Sequence, residues 1–485
     1  MTENNSTPEQ STTKEDLLAL RHTEDIQSSV LYVIFISSVA AIGGFLFGFD
    51  SGVINGTVTA LNDTFGGSDT TTGFNVASVL LGCAGGALLA GPLADKFGRR
   101  PIMITTAVIF ALSAWGSGMA NSTMEFVAYR LVGGLGVGAA SVLAPAYIAE
   151  VAPASLRGRL ATLQQLAIVV GLFVAFLSNY TIASVSGGAS APFIADLASW
   201  RWMFWAEIIP AALFLFGVVL IPESPRYLIA QGKVEEARAV FAKISSGAEE
   251  AQIHEVSKSL AGDHKPSIRD IFIEGSAKIH PIIWVGIALS VFQQFVGINV
   301  VFYYGAQLWQ AAGFDESQSL FINVMTGTTN IISTFIAIAL VDRIGRKPLL
   351  LTGSIGMSAS LGMLTFLFTT AGLDESGQLA LTSSEGTLAL ITANLFVVFF
   401  GMSWGPVVWV LLGEMFNNRI RGAALAVAAS AQWIANFAIT MTFPILLGSI
   451  GLGGAYGLYA ASALISVFFV HKYVKETRGR RLEEM

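Results

Sequence analysis

Residues 95–101 read Asp95-Lys-Phe-Gly-Arg-Arg-Pro101, and residues 342–348 read Asp342-Arg-Ile-Gly-Arg-Lys-Pro348. These two basic segments share one pattern, and Gly98 and Gly345 stand 247 positions apart. Two more echoes follow in the same order. Glu150 with Arg157-Gly158 returns as Glu414 with Arg421-Gly422, and Pro222-Glu223-Ser-Pro-Arg226 is echoed by Glu476-Thr-Arg478-Gly479. Echoes at similar intervals and in one order mark a duplicated unit, and a duplication decides the fold before any single element does.

Between these echoes the chain is apolar. Of 485 residues, 53% are hydrophobic and 12% charged, with a mean hydropathy of +0.64. A soluble protein carries about 25% charged residues, so the composition indicates a polytopic membrane protein embedded in a lipid bilayer. The one cysteine, Cys83, lies in an apolar run and allows no intrachain disulfide. The five histidines show no metal-ligand spacing, and neither metal nor cofactor is expected. A net charge of −6 leaves no nucleic-acid footprint. Residues 1–30 are polar and lack a signal-peptide core, which reads as a disordered cytosolic tail.

Hydropathy divides the rest into twelve spans: 31–56, 74–94, 101–121, 124–148, 159–183, 201–221, 281–309, 317–341, 348–371, 386–413, 422–446 and 451–474. The connections near 57–73, 184–200, 310–316, 372–385 and 447–450 contain no Lys or Arg, and the alternate connections carry nearly all of them. Positive loops stay inside, so both termini are expected in the cytosol. Arg201, at an outer helix end, is the exception.

The connection 222–280 separates a six-span bundle at 31–221 from a second at 281–474, with a cytosolic tail at 475–485. Within it, residues 232–243 space apolar side chains at helical intervals among charges. Short amphipathic cytosolic helices are expected there. The fold expected is therefore an all-α membrane protein of twelve transmembrane helices in two six-helix bundles. The repeats run parallel, related by an axis along the membrane normal, which is the architecture of the major facilitator fold.

Asp50 is the anomaly in the first span. Residues 31–56 contain no other charge and are interrupted by Gly43, Gly44 and Gly48. An acid at membrane depth costs about 2.5–3.5 kcal/mol on insertion scales, so it needs a partner or a proton. The opposing reading places it at a helix end among headgroups, but Val53, Ile54 and Val58 beyond it are apolar.

In its motifs the chain resembles the sugar-porter branch of the major facilitator superfamily. The resemblance rests on Gly-Arg-Arg at 98–100, Pro-Glu-Ser-Pro-Arg at 222–226, Phe-Gln-Gln-Phe-Val-Gly-Ile-Asn at 292–299, Gly-Arg-Lys at 345–347 and the Glu-Thr-Arg-Gly tail. It covers about residues 40–480 and looks closest to bacterial proton-coupled xylose or glucose symporters, then to animal glucose facilitators. It implies that Asp50 matches the symporters' proton-carrying Asp and Arg130 the Arg beside it. It also implies that Gln165, Gln293, Gln294, Asn299, Tyr303, Asn330, Trp404, Gln432 and Trp433 line a sugar site. Leu172 replaces a Gln of the xylose symporters and Phe302 a Leu, changes that look like the glucose facilitators. Lys475 stands where the tail motif usually has Pro.

The residue types suit that assignment. Amide side chains donate and accept hydrogen bonds, as sugar hydroxyls do, and tryptophans suit an apolar sugar face. A straight helix cannot aim Gln294 and Asn299 at one ligand, so a break is expected at Gly297, and by the same logic at Trp404-Gly405-Pro406. Gln432 and Asn436 are four apart and share a face. Each amide alone could equally be an interhelical hydrogen bond. Span directions put Asp50 and Arg130 at similar depth, where an ion pair that forms and separates would release and take up a proton. Glu207 is a second buried-looking acid with a proton role or, alternatively, a partner in Arg201.

The basic clusters pair Asp95 with Arg99 and Arg100, Glu150 with Arg157, Glu223 with Arg226, Asp342 with Arg346 and Glu414 with Arg421. They read as solvated charge or as a cytosolic gate. The function expected is proton-coupled import of a monosaccharide by alternating access, with a hexose such as glucose favoured over xylose. A passive facilitator and a transporter-like sugar sensor are the alternatives. An enzyme is not expected, since no nucleophile–base pair is visible. The protein is expected to be a monomer in the cytoplasmic (inner or plasma) membrane.

Overall fold

The computed structural model describes residues 14–244, 249–262, 268–273, 278–373, 379–416 and 420–478. Side chains at 14–28, 154, 155, 157–159, 161, 261, 262, 268 and 269 lie outside that description. Eleven helical stretches are long and apolar enough to cross a membrane. In order they are Ser29–Gly56, Asp69–Phe97, Arg99–Met119, Thr123–Val151, Thr162–Ser186, Ser199–Leu220, Pro281–Ala311, Glu316–Ile344, Arg346–Thr370, Ser383–Met415 and Arg421–Tyr473. The last breaks at Gly451, whose φ of 71° and ψ of 177° no helix contains. Its parts, 421–450 and 452–473, each exceed the roughly 20 residues a span needs, so the chain has the twelve spans expected. They are called the first to twelfth spans below.

One expectation at the N-terminus is corrected. The first helix starts at Lys14 and runs unbroken to Val53, so residues 14–30 are helical, not a disordered tail; residues 1–13 lie outside the description. Lys14-Glu-Asp-Leu-Leu-Ala-Leu is rich in strong helix formers. It extends a helix already nucleated by the span, so it bears no nucleation cost. The connection 222–280 folds as anticipated. Helix Val234–Ile244 buries Ala237, Val240, Phe241 and Ile244, the i, i+3, i+4, i+7 stripe of an amphipathic helix.

Glycines let the first half pack at backbone distance. A Cβ on Gly48 of the first span would lie 1.9 Å from the Ile168 carbonyl oxygen of the fifth, and one on Gly134 of the fourth 2.0 Å from the Val79 oxygen of the second. Lipid tails are as apolar as side chains, so close van der Waals contact, rather than hydrophobic burial, holds such helices together. This packing sets the first, second, fourth and fifth spans as one rigid unit.

The sequence echoes become one structural device built twice. Gly98 and Gly345 adopt φ 103° and 102°, a conformation suited to glycine, and each starts a new span. In the first half Glu223 accepts from the backbone N–H of Arg99 at 2.9 Å and of Arg100 at 3.2 Å. In the second, Glu476 accepts from Arg346 N–H at 3.1 Å and Lys347 N–H at 3.0 Å. Both carboxylates cap helix N-termini, where unpaired N–H groups and the helix dipole favour negative charge. Arg99 bridges Asp95 and Glu150, each at 2.9 Å. Arg346 bridges Asp342 at 3.0 Å and Glu414 at 2.7 Å.

Local sequence pairing had joined Glu150 to Arg157 and Glu414 to Arg421. The acids are instead held by Arg99 and Arg346 from other spans, and Arg421 donates to the Phe416 carbonyl at 3.2 Å. Helix ends from distant sequence meet here, so neighbours in space outcompete neighbours in the chain. The Arg157 side chain lies outside the description. Glu223, placed with Arg226 by sequence, serves as the cap just described.

The two caps titrate differently. Burial pushes the Glu223 carboxyl above its ordinary range, against the N–H bonds it accepts. Burial also acts on Glu476, but its four N–H bonds prevail and hold it below the ordinary range. A lowered folded value means that the cap's stabilisation is present above the unfolded value and lost as pH falls through the folded one. Glu476→Gln should reproduce that loss at neutral pH. Tryptic cleavage after Arg478 should accelerate several-fold, and an unchanged rate would show that the cap does not hold the tail.

Candidate functional site

The site is built around a buried ion pair. Arg130 of the fourth span donates from Nη1 to Asp50 Oδ1 of the first at 2.5 Å. Both residues are 1% exposed. The Arg130 guanidinium lies 5.8 Å from the Phe204 ring of the sixth span. Glu207, three positions on and so on the same helix face, is also 1% exposed and interacts electrostatically with both members of the pair. Among the described residues, Asp50 Oδ2, Glu207 Oε1, Arg130 Nε and Arg130 Nη2 have no hydrogen-bond partner. Arg201 does not take Glu207: it donates to the Gly118 and Ala120 carbonyls at 2.7 and 2.9 Å.

Glu207 sits where its helix is interrupted. Ser199–Trp205 and Ile208–Leu220 are separate helices joined through Ala206 and Glu207. Pro210 lacks the N–H that would bond the Ala206 carbonyl, and Ile209 N–H takes that carbonyl at 3.3 Å in a tighter turn. The second acid therefore projects from a loosened turn toward the pair. Two carboxyls facing one guanidinium carry a net negative charge when both are ionised. Burying an unbalanced charge costs several kcal/mol, so charge balance calls for one proton shared by the cluster.

The second half supplies a chain of amides. The seventh span ends one helix at Phe295, turns at Gly297 with φ 84°, and begins another at Ile298. This break brings Asn299 back to Gln294, which a straight helix could not do. Asn299 Nδ2 donates to Gln294 Oε1 at 2.5 Å, Gln294 Nε2 to Gln293 Oε1 at 3.4 Å, and Gln293 Nε2 to the Trp404 carbonyl at 2.8 Å. Gln293 and Gln294 are buried, Asn299 half-buried.

At Trp404-Gly405-Pro406 the expected break is corrected. Residues Phe400–Trp404 form a π-helical turn closed by Gly405 N–H onto the Phe400 carbonyl, and the helix continues through Gly405. A wide turn absorbs the proline without breaking the span. Trp404 is fully buried, and its indole donates to Leu350 O at 3.1 Å and Ser354 Oγ at 2.9 Å. Its carbonyl, not its ring nitrogen, meets the amide chain. Asn330 lies beside the same turn, 3.1 Å from where a Gly401 Cβ would stand.

Tyr303 joins the two regions. Its hydroxyl accepts from Asn436 Nδ2 at 3.4 Å and hydrogen-bonds Ser51, the residue after Asp50. Trp433 is half-buried, with its ring 6.1 Å from that of Phe47 in the first span. Gln432 is half-buried and its Oε1 has no partner among the described residues, while Gln165 is half-buried on the fifth span. The predicted residues thus gather on the first, fourth, fifth and sixth spans on one side and the seventh, eighth, tenth and eleventh on the other. Sequence reasoning missed Ser51, which looked like a helix-end serine, and Asn55, whose place at the end of an apolar run hid it.

The halves meet at the end opposite the basic loops. Glu316 accepts from Ala189 N–H at 2.8 Å, the Tyr180 and Phe321 rings lie 5.5 Å apart, and Asn55 reaches into the seventh span. The ion pairs of Arg99 and Arg346 at the basic end each stay within one half.

Comparison with known proteins agrees with this geometry. Residues 36–485 match the family model for sugar (and other) transporters. The chain is 56% identical over 459 residues to a glucose transport protein of Synechocystis, covering 94% of this chain and 98% of that one. It is 39% identical over 487 residues to the D-xylose-proton symporter of Escherichia coli K12, covering 94% and 95%. The inward-open structure of the E. coli xylose transporter XylE superposes with a TM-score of 0.80 at 38% identity, covering 93% and 99%. The same transporter bound to 6-bromo-6-deoxy-D-glucose gives 0.76, again at 38% identity, covering 94% and 98%. A repeated twelve-span fold, a buried acid–guanidinium pair and an amide-lined break, matched over nearly the whole chain, place this protein in the sugar transporter family of the major facilitator superfamily.

Proposed function

We propose that the protein imports a monosaccharide, glucose before xylose, together with a proton, by alternating access across the inner membrane. The observation that carries this is the buried Asp50–Arg130 pair facing Glu207 and linked to the amide chain through Ser51 and Tyr303. Its support includes 39% identity to a D-xylose-proton symporter. Glucose is favoured by 56% identity to a glucose transport protein. Leu172, where the xylose symporters carry Gln, removes one amide from the site.

In this reading the basic end faces the cytosol, with both termini there, and the protein works as a monomer. The sugar lies between Gln293, Gln294 and Asn299 on one wall and Gln165, Gln432 and Trp433 on others. Asn330 and the buried Trp404 shape the wall behind. The cluster of Asp50, Glu207 and Arg130 holds one proton when the carboxyls and guanidinium face each other unequally, and exchanges it as the halves rock. Asp95, Arg99, Arg100, Glu150, Arg157, Glu223, Arg226, Asp342, Arg346, Glu414 and Arg421 hold the cytosolic helix ends of each half. They meet across the halves when the site faces outward. One proton crossing about 100 mV releases about 2.3 kcal/mol. At about 1.4 kcal/mol per decade, that sustains a sugar gradient of roughly 50-fold.

Asp50→Asn should abolish sugar-driven proton uptake in proteoliposomes while sugar counterflow persists. Accumulation against a gradient by this variant would make the protein a passive facilitator. Gln294→Ala should weaken glucose binding by more than tenfold, measured by titration calorimetry, because Asn299 and Gln293 then lose their shared partner. Unchanged affinity would remove Gln294 from the site.

A further inference from the structure

Asn55 follows the first span in the short 3₁₀ turn Ile54–Gly56 and is 1% exposed. Every hydrogen bond recorded for its side chain goes to the other half of the molecule. Nδ2 donates to the Phe302 carbonyl at 2.8 Å and approaches that of Val301 at 3.5 Å. Oδ1 accepts from Ala306 N–H at 2.9 Å and from Asn323 Nδ2 at 2.7 Å. Phe302 C=O and Ala306 N–H are four residues apart, the two ends of a single rung of the seventh-span helix. One side-chain amide therefore addresses both ends of one rung. The approach depends on Gly305: a Cβ there would stand 2.2 Å from Asn323 Oδ1 and 2.8 Å from Asn55 Nδ2.

We infer that Asn55 is a reversible latch on the outer face, one that borrows a backbone rung when shut and returns it when open. The inference rests on the alternating-access reading above. In the closed form the amide satisfies Phe302 and Ala306. When the halves part, the two backbone groups close on each other in the ordinary helical bond, so neither is left bare in a low-dielectric interior. The Asn55 amide passes to water. Opening thus exchanges hydrogen bonds instead of abandoning them, whereas most buried polar contacts are costly to break without replacement. Other contacts across this face, such as Thr59 with Gln310 at 3.4 Å, are exposed and can pass directly to water. Asn55 touches neither the acid cluster nor the amide chain, so it is a positioning residue that sets the balance between the two faces.

The test is the distance between spin labels at Met124→Cys and Ser384→Cys, exposed positions at the outer ends of the fourth and tenth spans. Cys83 is fully buried and contributes no background label. In nanodiscs the otherwise wild-type chain should show mainly the short, closed distance. Asn55→Ala should raise the long-distance population at least tenfold, because the rung then closes permanently on itself. Asn55→Ser keeps one hydroxyl that reaches one end of the rung and should fall between. Thr59→Ala should leave the distribution in place. If Asn55→Ala and Asn55→Ser, folded by size-exclusion profile, both match the parent distribution while the parent responds to glucose, the latch is wrong and alternating access stands. A parent with one distance under every sugar and pH condition overturns alternating access, and the latch with it.

Discussion

The hydrogen bond from Arg130 to Asp50 is the constraint around which the first half is arranged. Neither group would tolerate its place alone: a lone buried charge costs several kcal/mol even after relaxation. The pair answers most of that cost, but not all of it. Arg130 retains two nitrogens, and Asp50 one oxygen, without partners among the described residues. A structural ion pair is stabilising only when its remaining donors and acceptors are satisfied. These are not, and the unpaired Glu207 oxygen beside them adds a second demand. Such an incompletely satisfied cluster is poorly suited to holding a fold and well suited to changing its proton content.

The surrounding packing keeps the cluster in register. Glycine contacts between the first and fifth spans and between the second and fourth bring backbones to distances that no side chain permits. The first half is thereby stiff where it holds charge. The second half is loose where it holds amides: Gly297 breaks the seventh span, and a π-turn widens the tenth. Helices with such irregularities are tolerated in membranes only where protein or a water-filled cavity satisfies the freed backbone. Tyr303 lies just past the break and hydrogen-bonds the neighbour of Asp50. Movement of the broken helix therefore reaches the charged cluster through one hydroxyl.

Much of this was legible in the sequence because its signals are local or repeated. Span number followed from hydropathy, the duplication from three echoes, and the turn at Gly297 from the angular mismatch between Gln294 and Asn299. What the sequence concealed depends on third dimensions that periodicity does not encode. Glu150 and Glu414 were matched to arginines seven residues away, yet the structure gives them Arg99 and Arg346 from other spans. Trp404 looked like a ligand platform and turned out to spend its N–H on Leu350 and Ser354. Residues 14–30 looked disordered because composition does not register that a helix already formed can extend at little cost. Asn55 was overlooked because an amide at the end of an apolar run has no periodic partner to reveal it.

The two ends of the molecule solve opposite problems. At the basic end the acids and arginines bond within each half, through caps that repeat with φ values of 103° and 102° at Gly98 and Gly345. Each half can therefore move there as a unit without losing its own contacts. At the opposite end the halves are joined by bonds that span them, among them Glu316 to Ala189 and Asn55 to the seventh span. A joint that must open repeatedly cannot rest on irreplaceable buried bonds, since a two-state element works only if both states lie within a few kcal/mol. Contacts to exposed groups meet this condition because water replaces them. The buried Asn55 contact meets it by another route, since the helix it interrupts can complete its own ladder.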